Sequence, residues 1–339
     1  MDINQLLTER GIELKYIDSP TYTRKIIPEQ NIITNDDEFT KSLLIKAGFT
    51  KFHPVSVASV EVAEKLAKQI GPGEIVGVGG GKAIDMAKRV SVLLNRPFVA
   101  FPTAPSHDGL VSKNCSLYNG HKRVSLPAKY PRKLIIPLHL WKHSGNLRKA
   151  GICDILSNII ALQDLSLASA KGVSYEPIYK EMSQKAIDKV LNLKDDKDLA
   201  EALILSGIAM ENGSQYCSGS EHETERLLES YLNGKYLHGQ LAGTGTLISA
   251  KVYYLYSDNL PRTLTFDSSE IFDQLVSLMK RLDLLDFALH PLQDPKFNPS
   301  SLKGLTKVRP ERYTLWNEID SEKLDWNKII KEILKTHNF

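Results

Sequence analysis

The chain of 339 residues is poor in cysteine, in long apolar runs and in excess charge of either sign. Three cysteines, Cys115, Cys153 and Cys217, are too few and too scattered for a disulfide framework or a thiolate zinc cluster. The formal net charge of +3 is spread along the chain, so we expect neither nucleic acid nor a membrane surface as a partner. No basic segment followed by an apolar core opens the sequence, and no run looks long enough to span a bilayer. We therefore expect a cytoplasmic protein, without membrane insertion, that acts on small molecules.

The first part of the chain alternates short apolar segments with amphipathic ones. The strand-like segments are residues 31–34, 54–58, 75–78, 98–101 and 133–137, and the helical patterns are residues 36–47, 60–70 and 82–94. Glycine follows the first two helical patterns, as it does at many helix ends. This alternation predicts a parallel sheet with crossover helices, in which ligands bind beyond the carboxyl ends of the strands.

After residue 141 the pattern changes to long amphipathic segments without intervening strands. These segments cover residues 148–170, 179–191, 199–209 and 324–334. The sequence therefore predicts an α/β protein with two domains, a Rossmann-like parallel-sheet domain over residues 1–140 and an all-α domain over residues 141–339.

Three glycines, Gly79 to Gly81, separate a buried strand pattern from a helix pattern. Glycine lets the backbone approach a pyrophosphate closely, and the helix start offers free N–H groups to it. The same glycines would also suit a tight turn without a ligand. Lys82 and Asp85 flank them, the lysine facing either phosphate or solvent and the aspartate orienting the helix start. Asn35 and Asp36, at the end of an earlier strand, suit either ribose hydroxyls or a helix N-cap.

A second loop, residues 102–109, should lie at the same edge of the sheet and carries His107 and Asp108. The Asn119-Gly120 pair behind it predicts a tight hairpin between residues 115–118 and 121–125. In the helical half, Asp154 lies in an apolar stretch and needs a partner. Two polar segments, residues 218–222 and 236–240, contain candidate partners for this carboxylate.

These segments together resemble the iron-containing alcohol dehydrogenase and dehydroquinate synthase superfamily, and within it most closely the sn-glycerol-1-phosphate dehydrogenases. The resemblance runs from about residue 32 to residue 314, and the segments that carry it are residues 79–85, 102–109, 151–158, 218–222, 237–239 and 312–314. It implies a dehydroquinate synthase-like fold, with a dinucleotide-binding domain, a helical domain for metal and substrate, and an active site in the cleft between them. It implies NAD(P)H, a phosphorylated ketone or alcohol as substrate, and a homo-oligomer.

The resemblance assigns one divalent metal to Asp154, His222 and His238. One carboxylate and two imidazoles leave coordination positions open, as in catalytic sites; the set favours Zn²⁺ and also accepts Fe²⁺ or Ni²⁺. The alternative for each histidine is a hydrogen bond in the core. The resemblance also gives Asp108 a role in substrate orientation or proton relay, unless it only caps a turn. The cofactor-binding residues expected are Asn35, Asp36, Gly79, Gly80, Gly81, Lys82, Asp85, Thr103 and Ser106.

Three departures from the family pattern concern the substrate. Gln215-Tyr216 replaces an arginine-proline pair, Gln240 replaces a glutamate, and residues 136–139 lack an aspartate. Some other cation must then meet a substrate phosphate, and the candidates are Lys113, His121, Lys122, Arg123 and Arg312. We expect Arg312 to bind the substrate phosphate, with Lys113 as a second substrate residue. The alternative role of Arg312 is to tie the terminal helices together.

The reaction expected is metal-dependent interconversion of dihydroxyacetone phosphate and sn-glycerol 1-phosphate with NAD(P)H. One alternative is a dehydrogenase for another phosphorylated or polyhydroxylated ketone. A second is a sugar-phosphate cyclase similar to dehydroquinate synthase, against which the aspartate at position 154 argues, because those cyclases usually carry glutamate there. A third, a binding protein that has lost its chemistry, is opposed by the presence of all three metal-ligand types and of Asp108.

Overall fold

The computed structural model describes residues 2–19, 31–120, 122–261, 264–309 and 312–338. They form two compact units. Unit 1 comprises Met1–Arg148 and Lys194–Glu211, and unit 2 comprises Lys149–Leu193 and Asn212–Phe339. The domain ranges expected from the sequence, 1–140 and 141–339, stay a prediction.

Unit 1 is organised around a parallel sheet of six strands in the order β1-β8-β5-β4-β2-β3. The strands in the described part of the chain are β1 Glu13–Ile17, β2 Ile32–Asn35, β3 His53–Val55, β4 Ile75–Gly79, β5 Phe98–Pro102, β6 Asn114–Asn119, β7 Lys122–Pro127 and β8 Lys133–Pro137. The predicted parallel sheet is confirmed. The central strands β4 and β5 are buried along their whole length, which explains why they read as continuous apolar runs.

One edge strand, β1, was not predicted from the sequence. It pairs with β8 from Glu13 opposite Lys133 to Ile17 opposite Pro137. Most of its residues are exposed or half-buried, and only Ile17 is buried. An edge strand of this kind lacks the apolar run that identified the other strands of the sheet.

Within the described residues, the helices are α1 Ile3–Thr8, α2 Glu38–Lys46, α3 Val60–Gln69, α4 Gly81–Leu93, α5 Leu138–Trp141, α6 Asn146–Ala170, α7 Pro177–Leu191, α8 Asp196–Ala209, α9 Ser220–Tyr231, α10 His238–Leu255, α11 Ile271–Arg281, α12 Leu285–Leu289, α13 Leu315–Glu318 and α14 Trp326–Lys335. Side chains cap several of their starts. Asp37 accepts a hydrogen bond from the Thr40 N–H and Ser59 accepts one from the Val62 N–H. All four long helical segments predicted from the sequence are helices, with ends shifted by a few residues.

The predicted hairpin is formed by β6 and β7, which pair antiparallel from Asn114 opposite Pro127 to Asn119 opposite Lys122. Gly120 has a φ of +59°, in the left-handed region that the tight turn requires. His121 lies outside the described residues.

Helix α6 corrects the expectation about apolar length. Its 25 residues are long and apolar enough to cross a membrane by length and composition alone. However, 94% of its most apolar window is buried inside the protein. Burial inside the protein therefore accounts for its composition, as in a core helix.

Candidate active site

The glycines of the predicted phosphate cradle join β4 to the start of α4. Gly79 has a φ of +144°, a conformation that residues with side chains rarely adopt. A Cβ atom there would lie 2.8 Å from Asn35 Oδ1. Asn35 Oδ1 itself accepts a hydrogen bond from the Ala83 N–H at 3.1 Å, so this side chain helps to satisfy the start of α4.

His107 lies on the other side of the same glycines. A Cβ atom on Gly81 would come within 2.5 Å of His107 Nε2. The Gly109 N–H donates to His107 Nδ1 at 2.9 Å, which fixes the ring orientation. Thr103, at the end of β5, is buried, and its N–H donates to the Gly79 carbonyl at 3.0 Å. Ser106 is half-buried in the following loop.

The remaining predicted cofactor residues have protein partners. Asp36 accepts from Ser56 Oγ at 2.7 Å and from Lys41 Nζ at 2.9 Å, and these bonds hold the pKa of its carboxyl below the usual value. Lys82 is exposed, and its Nζ donates to the Ser56 carbonyl at 3.3 Å.

Asp85 and Lys88 form a buried polar cluster that sequence reasoning only half identified. Asp85 accepts from the Ser116 N–H at 3.1 Å, and its Oδ1 lies 3.5 Å from Lys88 Nζ. Lys88 is fully buried and donates to the Gly109 carbonyl, to Ser112 Oγ at 3.2 Å and to the Asn114 carbonyl at 2.8 Å. The lysine thus holds the segment that follows Asp108, and its position in the apolar face of α4 was the signal to look for.

Asp108 is half-buried in a 3-10 turn, Asp108–Leu110. Ser206 Oγ on α8 donates to Asp108 Oδ2 at 2.7 Å. Gly207 follows, and a Cβ atom on it would lie 2.6 Å from the Asp108 carbonyl oxygen. A glycine at this position therefore lets α8 approach the turn closely and brings the Ser206 hydroxyl to the carboxylate. Sequence reasoning did not identify Ser206.

The phosphate candidates have these positions. Lys113 Nζ pairs with Glu211 at 2.8 Å and lies 5.0 Å from the centre of the Tyr130 ring. Arg123 Nε donates to Ser116 Oγ at 2.7 Å within the hairpin. In unit 2, Arg312 donates to the Ser218 carbonyl and to Ser214 Oγ, the latter at 2.9 Å. Both arginines therefore already have acceptors within the protein, and the assignment of Arg312 to the substrate phosphate stays a prediction.

The predicted metal ligands are brought together by three helices of unit 2. Asp154 lies on α6, His222 on α9 and His238 at the first position of α10. Glycines on α10 permit the close packing. A Cβ atom on Gly239 would lie 2.6 Å from the Ala150 carbonyl carbon on α6, and one on Gly245 would lie 3.0 Å from the Glu221 carbonyl carbon on α9. Both distances are shorter than van der Waals contact allows.

The three side chains place one ligand atom each within 4.8 Å of the others. Asp154 Oδ1 lies 3.5 Å from His222 Nε2 and 3.4 Å from His238 Nε2. The two rings are tilted by 46°, with their centres 5.2 Å apart. These separations match the edge of a tetrahedron, which is about 3.3–3.4 Å when each metal bond is about 2.0–2.1 Å.

Charge at this cluster is strongly perturbed. Burial by itself would raise the pKa of Asp154, but its contacts with both histidines outweigh burial and hold that pKa well below the usual range. Burial opposes protonation of His222, yet Asp154 and Glu221 raise its pKa to about 9. Burial likewise opposes protonation of His238, and Glu225 and Asp154 raise its pKa to about 10. A buried aspartate here is stable only beside positive charge, which protons or a metal supply.

Two glutamates that sequence reasoning left without a role contact the outer nitrogens of the histidines. Glu221 Oε1 lies 2.8 Å from His222 Nδ1, and Glu225 Oε1 lies 2.8 Å from His238 Nδ1. They are one turn apart on α9, a spacing that places both on one face of the helix.

The structure gives a physical reason for two of the three positions at which the sequence departs from the family pattern, Gln240 and Tyr216. Gln240 Nε2 donates to the Phe287 carbonyl at 2.8 Å, which an ionised glutamate at this position would be unable to do. Tyr216 is buried, and its hydroxyl accepts from the Glu176 N–H at 2.9 Å. The tyrosine that stands in place of proline therefore anchors the start of α7.

Comparisons with known proteins agree on one family. The family profile described as iron-containing alcohol dehydrogenase matches residues 35–144. A glycerol-1-phosphate dehydrogenase [NAD(P)+] of Saccharolobus islandicus is 32% identical over 333 residues, covering 93% of this chain and 88% of its own. One from Halobacterium salinarum is 38% identical over 212 residues, covering 59% of each chain.

Solved structures show the same fold. Glycerol dehydrogenase from Schizosaccharomyces pombe has a TM-score of 0.68 at 18% identity and covers 97% of this chain and 89% of its own. Sulfoacetaldehyde reductase from Bifidobacterium kashiwanohense, in complex with NAD⁺, has a TM-score of 0.68 at 14% identity, covering 96% of this chain and 97% of its own. The predicted fold class, a parallel-sheet region followed by a helical region, is thereby confirmed.

Proposed function

The chain belongs to the glycerol-1-phosphate dehydrogenase family of oxidoreductases, and from that premise we propose that it interconverts dihydroxyacetone phosphate and sn-glycerol 1-phosphate with NAD(P)H. We propose that Asp154, His222 and His238 hold one divalent metal, with Zn²⁺ favoured by the oxygen and nitrogen donors. When bound, such a metal supplies a Lewis acid that lowers the pKa of an alcohol and polarises a ketone.

The spacing of the three donor atoms carries this proposal. Hydrogen bonds between nitrogen and oxygen usually measure 2.7–3.2 Å. The outer contacts of the two histidines, at 2.8 Å, fall in that range, whereas their inner contacts with Asp154, at 3.4 and 3.5 Å, exceed it. Inner atoms that are too far apart for good hydrogen bonds but at the ligand spacing of a tetrahedral site favour a metal over a simple core hydrogen-bond network.

In unit 1 the backbone of Gly79 to Gly81 and the start of α4 would bind the cofactor pyrophosphate. The φ of Gly79 and the close approach of His107 to Gly81 support a cradle whose shape requires glycine. Thr103, Ser106, Asn35, Asp36, Lys82 and Asp85 remain the proposed neighbours of the cofactor. Asp108, whose carboxylate is oriented by Ser206, would orient the substrate hydroxyl or relay its proton.

Arg312 remains our candidate for the substrate phosphate, with Lys113 as the second. Both are cationic and both already bind protein acceptors, so a phosphate would have to share or replace those partners. A planar guanidinium with five N–H donors retains capacity for further bonds after two are made. We further propose a cytoplasmic homo-oligomer in which residues 1–140 bind the dinucleotide and residues 141–339 bind metal and substrate.

The decisive experiment is anaerobic oxidation of NADH and NADPH by metal-reconstituted protein. The panel comprises dihydroxyacetone phosphate, unphosphorylated dihydroxyacetone, other ketose phosphates and other free ketones. Rapid turnover of dihydroxyacetone phosphate with net cofactor oxidation supports the proposal. Preference for the unphosphorylated ketone contradicts the substrate assignment, and phosphate release without net cofactor oxidation would identify a cyclase instead.

The metal assignment is tested in the same protein with Asp154→Asn and His222→Gln. Each variant should lose bound zinc, measured by elemental analysis after dialysis, together with turnover. Full zinc occupancy in both variants would show that the metal binds elsewhere.

A further inference from the structure

The two glutamates behind the metal cluster share one geometry although they serve different helices. Glu221 contacts its own neighbour in the sequence, His222, and Glu225 reaches from α9 to His238 on α10. In both pairs the carboxylate Oε1 lies 2.8 Å from the imidazole Nδ1. Glu221 is 0% and Glu225 is 1% exposed, so water does not compete strongly for either carboxylate.

This geometry fixes the chemistry of each ring. A carboxylate accepts a hydrogen bond, so the proton of each neutral imidazole belongs on Nδ1. The lone pair is then on Nε2, which is the nitrogen that faces Asp154 Oδ1 in both residues. Without an acceptor behind the ring, a neutral histidine would also populate the tautomer that carries its proton on Nε2, which binds no metal there.

We propose that Glu221 and Glu225 are positioning residues that set the affinity of the metal site by holding both histidines in the metal-binding tautomer and orientation. The inference rests on the proposed metal role of Asp154, His222 and His238. It extends the site to two residues that contact its histidines at Nδ1. Partners of this kind behind metal-bound histidines typically change metal affinity by 10–100-fold.

Glu225 provides the cleaner test of the two. Glu221 Oε1 also accepts a hydrogen bond from the Gly219 N–H at 2.7 Å, at the start of α9, so its replacement would disturb the helix end as well. Glu225 lies in the second turn of α9, away from that end, and its carboxylate meets a ring on another helix.

Glu223 is a matched control on the same helix. It is 1% exposed, like Glu225, but its Oε2 accepts from Thr314 Oγ1 at 3.1 Å instead of facing a metal ligand. Glutamine at position 223 therefore replaces a buried glutamate on the same helix whose side chain bonds to Thr314 and not to a metal ligand. The comparison separates the orientation of a ligand from the general effect of replacing a buried glutamate in α9.

The experiment measures zinc affinity by competition with a chromophoric chelator for the wild type, Glu225→Gln, Glu221→Gln, Glu223→Gln and Asp154→Asn. Thermal unfolding of each metal-free variant records its folding. We expect at least 10-fold weaker zinc binding for Glu225→Gln and Glu221→Gln and a change below about 3-fold for Glu223→Gln. The visible absorption of the Co²⁺-loaded protein should shift in Glu225→Gln and not in Glu223→Gln, because the bands report the geometry of the ligands.

The outcomes distinguish this inference from the metal site itself. If zinc binding is lost in Asp154→Asn and weakened in Glu225→Gln but not in Glu223→Gln, the metal site and the positioning role are both supported. If zinc binding depends on Asp154 but is equally affected, or unaffected, at positions 223 and 225, the positioning role is overturned and the metal site remains. If zinc binding does not depend on Asp154, the metal site and the positioning role are both overturned. Should Glu225→Gln not fold, Glu221→Gln is compared with Glu223→Gln, and thermal unfolding of the metal-free Glu221→Gln protein records the added loss of the Gly219 contact.

Discussion

Replacing Gly239 by alanine should push α10 away from α6 beside the metal ligands. The new Cβ atom would lie 2.6 Å from the Ala150 carbonyl carbon, whereas ordinary contact begins at 3.4 Å. The two backbones must therefore separate by at least about 0.8 Å, the difference between those distances. Metal ligand distances tolerate about 0.2 Å. His238 directly precedes Gly239, so it moves with the start of the helix.

The sign of the stability change identifies the mechanism. Alanine is favoured over glycine in a helix by up to about 1 kcal/mol, so propensity alone predicts a more stable protein. Overpacking of a close backbone contact costs typically 1–3 kcal/mol. We therefore expect Gly239→Ala to be destabilised by about 0–2 kcal/mol, and its zinc Kd to rise at least ~10-fold, equivalent to about 1.4 kcal/mol.

Urea unfolding of the metal-free protein and chelator competition measure the two quantities. Gly304→Ala is the control, because the nearest atom to its new Cβ would be Leu227 Cδ1 at 3.9 Å, an ordinary contact. It should leave zinc affinity unchanged. A Gly239→Ala protein that is more stable than wild type and binds zinc equally well would refute the argument that the close contact between α6 and α10 shapes the metal site.

Three other predictions follow from buried polar groups. Contacts with Asp154, Glu221 and Glu225 raise the pKa of His222 to about 9 and that of His238 to about 10. Zinc competes with the protons that these contacts favour, so zinc binding should release protons at pH 7 and strengthen as pH rises towards 9. Calorimetry in buffers of different ionisation enthalpy counts the released protons, and release of none would contradict the assignment. Lys88→Met leaves buried carbonyl groups without their donor and should cost at least about 2 kcal/mol in urea unfolding, whereas Lys65→Met, at an exposed site, should cost under about 0.5 kcal/mol. Arg312→Ala should raise KM for dihydroxyacetone phosphate more than for dihydroxyacetone; equal losses would make Arg312 structural.

Local patterns were sufficient for most of the sheet and for the glycine turn between β4 and α4. A buried parallel strand reads as an apolar run, and the change from that run to glycine and then to a helix is contained in Gly79 to Gly81 and the residues beside them. The edge strand β1 was not predicted, because most of its residues are exposed or half-buried and it therefore lacks an apolar run. The role of Lys88 was not predicted, because the side chain of a lysine on a helix is ordinarily solvated. Its acceptors, the Gly109 and Asn114 carbonyls, lie more than 20 residues away in the sequence.

The geometry around the metal ligands depends on contacts that no short segment contains. Asp154, His222 and His238 were identified as a set only through the family resemblance, since each is an isolated polar residue in its own segment. Which nitrogen of each ring faces Asp154 depends on the glutamate behind it. The pairing of Glu225 with His238 joins residues 13 positions apart on two helices, so it appears only once α9 and α10 pack together.

Glycine serves two different physical purposes in this chain, and the difference explains why one set was recognised and the other was not. At Gly79 the requirement is a backbone angle, a φ of +144°, and the clustering of three glycines made it visible. At Gly239 and Gly245 the backbone is helical, and the requirement is space for another helix. Glycine within a helix costs roughly 1 kcal/mol relative to alanine, so its presence there indicates a close approach that offsets the loss. In α10 the two approaches occur beside His238 and against Glu221, which links the helix packing of unit 2 directly to the position of the ligands.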